Sequence, residues 1–141
     1  MKKMIITFLL VLLISSASYA DTYLFGYTPG GQLGGGLRFD LAEGWVTDLS
    51  LSADSGDSGS IYQLYGDVFW GNWGAGLTAK RDAVDKDVFF NISLQYAVEQ
   101  SVNDDIAVGV LLVLADYDTE PGIDPNLHFG SAIVPYFVLG L

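Results

Sequence analysis

The only histidine of the chain, His128, is the first residue whose type could support catalysis. A catalytic histidine needs a nucleophile and an orienting group within hydrogen-bond reach. The nearest hydroxyl in sequence is that of Ser131, and side chains three residues apart in a strand point to opposite faces. The chain also lacks cysteine, which excludes disulfides, thiolate metal sites and a lipid-modified N-terminal cysteine. These residues predict a protein that is not an enzyme and has no cofactor.

A second candidate site is a group of four carboxylates near the C-terminus: Asp116, Asp118, Glu120 and Asp124. Hard carboxylate oxygens this close in sequence could bind Ca²⁺. The spacing fails the EF-hand pattern, because Pro121 stands where glycine is required and Leu127 where the last ligand belongs. The sequence therefore favours a solvated acidic loop without a metal site, and leaves any loop ligand open.

Residues 1–20 are typical of a secretory signal peptide. Lys2 and Lys3 precede an apolar run from Met4 to Ile14, and small residues lead to Ala20. The apolar run is too short for a comfortable helical membrane span. We therefore expect an exported chain with cleavage after Ala20 and one domain over residues 21–141. Without Lys2 and Lys3, four basic residues face seventeen acidic ones, a net charge of −13 that argues against nucleic acid as a partner.

Eight segments of the predicted domain show the two-residue alternation of β-strands. One face of most segments is apolar, and the other is small or polar. The longest apolar run, residues 106–115, spans a bilayer as a strand and not as a helix. This pattern predicts an all-β protein, an eight-stranded antiparallel up-and-down transmembrane β-barrel. The segments are 22–28, 34–41, 45–54, 60–70, 73–82, 87–98, 105–116 and 131–141.

Short and long connections alternate, and two short ones predict strand register. Gly71-Asn72 is a two-residue hairpin loop that pairs Trp70 with Trp73. We interpret residues 42–44 as a three-residue loop that sets Leu41 opposite Trp45, because a two-residue loop would mix the faces. The same register sets Arg38 opposite Asp48. In the seventh segment, Ala107, Gly109 and Ala115 are expected to share one face of mostly small residues.

The predicted register assigns two groups of side chains to opposite faces. The inward polar residues, interpreted as barrel filling with a selective pore lining as the alternative, are Arg38, Asp40, Asp48, Asp67 and Lys80. The outward aromatic girdle beside the short turns consists of Trp45, Trp70 and Trp73. The alternative for the tryptophans is the core of a soluble sandwich. Arg81 is expected to face lipid, where it meets a lipopolysaccharide phosphate or extends to the interface as an ordinary surface residue.

The C-terminal segment resembles the assembly signal of outer-membrane barrels. Ile133, Phe137, Leu139 and Leu141 alternate up to the end, although Pro135 interrupts the ladder and the last residue is not the usual phenylalanine. With the signal peptide, the strand count and the turn alternation, the chain resembles small eight-stranded outer-membrane barrels of the OmpA-transmembrane-domain or OmpX-like kind.

This resemblance implies location in the outer membrane of a Gram-negative-type cell. It also implies contact with outer-membrane lipid and lipopolysaccharide, and help from the barrel assembly machinery and periplasmic chaperones during biogenesis. The expected role is structural, or interaction at the cell surface through acidic extracellular loops. The alternatives are a narrow pore, a soluble periplasmic ligand-binding β-barrel and, least favoured, a lipid A-modifying enzyme.

Overall fold

The computed structural model of the chain describes residues 20–26, 33–56, 59–82, 87–122 and 126–140. The predicted signal peptide lies outside this part, except for Ala20, which begins the first strand. All regular elements among the described residues are β-strands. They are β1 (Ala20–Gly26), β2 (Leu33–Ala42), β3 (Trp45–Gly56), β4 (Gly59–Trp70), β5 (Trp73–Asp82), β6 (Val88–Ser101), β7 (Ile106–Asp118) and β8 (Leu127–Leu139).

Each strand pairs antiparallel with the next strand along the chain, from β1 to β8. The prediction of eight antiparallel strands in up-and-down order is confirmed. β1 also pairs with β8, over the four residues Thr22 to Phe25, so the strand order is that of a closed barrel. This pairing supplies partners to the two strands that would otherwise be sheet edges.

The strand bounds agree with the predicted segments to within a few residues, with the largest difference in β8. This strand begins at Leu127 and not at residue 131, so that His128 lies in a strand. The predicted segment 131–141 puts the residues up to Gly130 in a loop. In the structure Gly130 has a positive φ of 61° inside β8, beside a register shift against β7. The glycine therefore accommodates an irregularity within the strand.

The turn between β2 and β3 differs from the predicted three-residue loop. Ala42 pairs directly with Trp45 around a two-residue turn, in which Gly44 has a φ of 79°. The expected pairing of Leu41 with Trp45 is therefore wrong. A register shift between Asp40 and Ala42 inserts one extra residue into β2. Such a bulge restores the alternation that a plain two-residue turn would have disturbed, and Arg38 lies opposite Asp48 as predicted.

The turn between β4 and β5 follows the predicted register. Trp70 pairs with Trp73, and Gln63 pairs with Lys80. Gly71 has a φ of 59°, the left-handed conformation that a two-residue hairpin turn of this kind requires. We call the end of the barrel with the turns at 43–44, 71–72 and 102–105 the short-turn end, and the opposite end the long-loop end.

A bulge in β7 reverses which residues face inward. Gln95 pairs with Val113, whereas its neighbour Leu94 pairs with Ala115, so that Leu114 is an extra residue in β7. Ala115 therefore lies on the outer face with Leu94 and Phe129. Its predicted place beside Ala107 and Gly109 is wrong, because the extra residue shifts the alternation by one position.

The inner face of the sheet is polar and buried, while the outer face is apolar and exposed. Beyond Leu114, the carboxylates of β7 point inward. The buried polar side chains are Asp48, Ser50, Ser52, Asp67, Thr78, Asn91, Ser93, Gln95 and Asp118. A smaller apolar layer fills the inside toward the short-turn end: Phe69, Leu111, Val134, Tyr136 and Val138. Phe39 departs from this pattern, because the register puts it on the outer face and it is only 5% exposed.

Candidate functional site: the polar interior and the outer wall

The inside of the short-turn end is organised around one arginine. Arg38 on β2 and Asp48 on β3 are directly opposite each other. The Arg38 guanidinium donates from Nε to Oδ1 of Asp48 at 2.8 Å and from Nη2 to Oδ2 at 2.9 Å. Asp48 is 1% exposed, so this bidentate pair lies away from bulk water. Two parallel charge-assisted hydrogen bonds fix both side chains in one orientation.

The same guanidinium reaches across the barrel to β6 and β8. Arg38 Nη1 lies 2.6 Å from Oε2 of Glu99, and the Tyr136 hydroxyl donates to that same oxygen at 2.9 Å. The guanidinium carbon is also 5.6 Å from the centre of the Tyr136 ring, within range for a cation–π contact. Four strands are thus connected through one cation.

Glu99 and Tyr136 were not among the sequence-predicted interior residues. The predicted sixth strand ended at residue 98, whereas β6 continues to Ser101. Continued alternation from Gln95 would have assigned Glu99 to the inner face. The same rule, applied backwards from Val138 in the last segment, would have assigned Tyr136 inward.

The middle of the interior is bridged by Asp67. Gln95 Nε2 donates to Oδ1 of Asp67 at 2.9 Å and to Oγ of Ser93 at 2.8 Å. Asp67 lies on β4 and Gln95 on β6, so the bond passes over β5, where Gly76 faces inward. A Cβ atom at Gly76 would collide with the side chains of Asp67, Gln95 and Ser93. The absence of a side chain at this position is therefore what allows the bridge.

Two further inward glycines make room for neighbouring rings in the same way. A Cβ at Gly74 would collide with the Phe69 ring, and one at Gly109 with the Tyr136 ring. Each ring belongs to the adjacent strand at the paired position. The alternation of glycine with large residues thus fills a narrow interior.

At the long-loop end the interior holds a separate polar group. Lys80 Nζ lies 2.9 Å from Oδ2 of Asp118, and Asn91 Nδ2 donates to Oδ2 of Asp116 at 2.8 Å. His128 Nδ1 is 3.4 Å from the same Asp116 oxygen. The prediction that these two acids belong to a solvated loop is wrong, because β7 extends to Asp118 and its bulge turns both side chains inward.

The predicted inward residues are therefore not one cluster. Arg38 and Asp48 pair at the short-turn end, Asp67 lies in the middle, and Lys80 pairs at the long-loop end. Asp40 has the inward register but is exposed at the short-turn rim. Within the described ranges, no group of three His, Cys, Asp or Glu residues is arranged to hold a metal ion, and Asp124 lies outside those ranges.

The three tryptophans form a row on the outer face at the short-turn end. Trp45 pairs with Trp70, Trp70 with Trp73, and Trp73 with Tyr96, so that the row crosses β3 to β6. The ring centres of Trp45 and Trp70 are 6.4 Å apart, and Trp73 meets Tyr96 edge-on at 5.0 Å. All three indoles are exposed. Tyr96 extends this aromatic row by one strand beyond the three predicted tryptophans.

Comparison with known proteins gave no match to a family model, a curated protein or a solved structure. No helix long and apolar enough to cross a membrane is formed by the described residues.

Proposed function

We propose that this chain is a non-enzymatic integral outer-membrane β-barrel protein, exported with a signal peptide that ends at Ala20. Its role is structural, or interaction at the cell surface through its acidic long-loop end. The observation that carries the proposal is the reversed polarity of the wall, in which charged side chains are buried inside and large apolar ones are exposed outside.

The exposed apolar side chains extend along the middle of the strands. Leu77, Ile92 and Leu94, on the neighbouring strands β5 and β6, are 50%, 57% and 48% exposed. A surface of this kind in water would be an aggregation site, whereas in hydrocarbon it is the expected outer surface. The wall suits hydrocarbon in a second way, because every strand is paired with a neighbouring strand on each side, β1 with β8 over four residues.

The position of the aromatic row supports the orientation. Indole rings favour the boundary between hydrocarbon and headgroups. The row borders the short turns, which face the periplasm in bacterial outer-membrane barrels. The long-loop end would then face the cell exterior.

The contents of the interior favour a closed barrel over the narrow-pore alternative. Glu99 binds Arg38 across the lumen, Tyr136 packs against the same guanidinium, and the Asp67–Gln95 hydrogen bond occupies part of the middle. A cavity of about 140 Å³ remains beside Arg38 at the short-turn end. In planar bilayers we expect no resolved conductance steps from the purified protein, and regular steps would favour the pore.

The membrane proposal is tested by fractionation and gel migration of the full-length chain expressed in a Gram-negative host. We expect the protein in the outer-membrane fraction, extracted only by detergent, with a faster band before boiling than after it. The matched control is Gly76→Trp, whose side chain collides with the Asp67–Gln95 bridge and should give only the boiled position. Complete extraction of the wild type into detergent-free buffer would contradict the proposal and favour a soluble periplasmic barrel.

A further inference from the structure

The outer face carries an open apolar groove of about 420 Å³ near the long-loop end, across β2, β3 and β4. Gly35 and Ala53 lie in the groove, between the exposed side chains of Leu33, Leu51 and Tyr62. The groove forms because two small residues are paired with larger ones, which project further from the sheet. Gly35 pairs with Leu51, and Ala53 pairs with both Leu33 and Tyr62. The lining of the groove is mostly apolar, with Ser52 as a polar residue among its members.

The cationic side chain of Arg81 lies next to this groove. Tyr62 pairs with Ala53 on one side and with Arg81 on the other, so all three are at one level of the outer face. Arg81 is exposed and points outward, since its neighbour Lys80 points inward to Asp118. With neighbouring strands about 4.8 Å apart, Arg81 is about 10 Å from Ala53 along the surface.

Arg81 is the only basic residue on the outer face within the described residues. Of the four Lys and Arg residues after residue 20, Arg38 and Lys80 are engaged inside, and Lys86 lies outside the described ranges. The chain as a whole is acidic, with a formal net charge of −11, so a cation on the outer face runs against the overall charge. An anionic group that approaches the outer wall is attracted to the position of Arg81, which is in register with Tyr62.

We propose that the groove and Arg81 together bind one molecule of a phosphorylated, multiply acylated glycolipid of the lipid A class. An acyl chain would lie on Gly35 and Ala53, and a phosphate would accept hydrogen bonds from the Arg81 guanidinium. The proposal rests on the proposed membrane function, which puts the long-loop end in the leaflet where such lipids occur.

The binding test uses the detergent-purified protein, with its folded state checked by the unboiled gel band. Purified lipid A is titrated and the complexes are counted by native mass spectrometry. We expect one lipid A per protein. Dephosphorylated lipid A should bind at least about tenfold more weakly, because the charge-assisted hydrogen bonds are lost. Inorganic phosphate, which lacks the acyl chain, should give no stable complex.

Three variants locate the site. Arg81→Gln removes the cation and Ala53→Trp fills the groove, and each should weaken lipid A binding by about tenfold or more. Ala115→Trp adds the same bulk to the outer face of β7, away from the groove, and should bind like the wild type. Equal binding by all variants, or by both forms of lipid A, would overturn the site.

Two further outcomes would also overturn it. A protein dimer that Ala53→Trp abolishes would assign the groove to a second copy of the chain. Strong complexes with inorganic phosphate would reduce the site to an anion contact at Arg81. If the protein is found in the outer membrane but does not bind lipid A, only this site is refuted. If it is extracted completely into detergent-free buffer, the proposed function itself is refuted.

Discussion

Replacing Arg38 with methionine tests whether the interior pair stabilises the barrel as its geometry suggests. The variant keeps a side chain of similar length but removes the cation that satisfies Asp48. Asp48 is 1% exposed and accepts two charge-assisted hydrogen bonds from Arg38. Glu99 also loses a donor, but it is 35% exposed and keeps the Tyr136 hydroxyl. The cost is therefore concentrated at Asp48.

The expected magnitude follows from the burial of Asp48. Removing one partner of a buried ion pair costs about 3–5 kcal/mol, because the remaining charge is left without compensation. We expect Arg38→Met to lower the free energy of unfolding by an amount in this range. The double variant Arg38→Met/Asp48→Leu removes both charges, and should recover more than half of the loss. Asp40→Asn, at the exposed rim, is the matched control and should change stability by less than about 0.5 kcal/mol.

The assay is urea unfolding of the protein refolded in phosphatidylcholine vesicles, followed by tryptophan fluorescence and by gel migration. Trp45, Trp70 and Trp73 are exposed on the outer wall, so, if the proposed membrane function holds, their emission would report on the loss of contact with lipid. The reasoning would be refuted by an Arg38→Met variant within about 1 kcal/mol of the wild type, well below the cost of an uncompensated buried charge. It would also be refuted if the double variant were less stable than the single one.

Two other predictions concern the interior glycines and the aromatic girdle. Gly109→Ala should destabilise the barrel by about 1–3 kcal/mol, because its Cβ collides with the Tyr136 ring, whereas Gly66→Ala, which meets only the end of Leu49 at 3.6 Å, should cost less. Equal urea midpoints for Gly109→Ala and Gly66→Ala would contradict this prediction. In vesicles with brominated lipids, tryptophan emission should be quenched more by bromine near the headgroup than by bromine at the chain end. The reverse order would contradict the assignment of the tryptophans to an interfacial girdle.

The sequence predicted the strands and most of their register because the alternation of the outer face is strong. Trp70 and Trp73 around Gly71-Asn72 left one self-consistent pairing, and Arg38 opposite Asp48 followed from parity. Local irregularities could not be predicted in this way. The extra residue Leu114 in β7 is apolar like its neighbours, so no change of residue type marks the position where the alternation shifts.

The polar partners inside were predicted less well than the strands themselves. Asp67 was assigned inward, but its bond to Gln95 passes over an intervening strand and depends on Gly76. Contacts of this kind join residues two strands apart, whereas pairing rules describe only adjacent strands. The predicted end of β6 at residue 98 also falls short of Ser101, because a run of polar residues from Glu99 onward resembles a turn. Glu99 was therefore missed as a partner of Arg38.

Because of the extra residue Leu114, the number of residues in β7 determines which of its later side chains face the interior. Deleting Leu114 would leave hydrophobicity, charge and strand propensity almost unchanged, yet it would rotate every later side chain of β7 by half a turn about the strand axis. Asp116 and Asp118 would move from the interior to the apolar outer face, and Tyr117 would enter the interior. A single lost codon could thus be more damaging here than many substitutions.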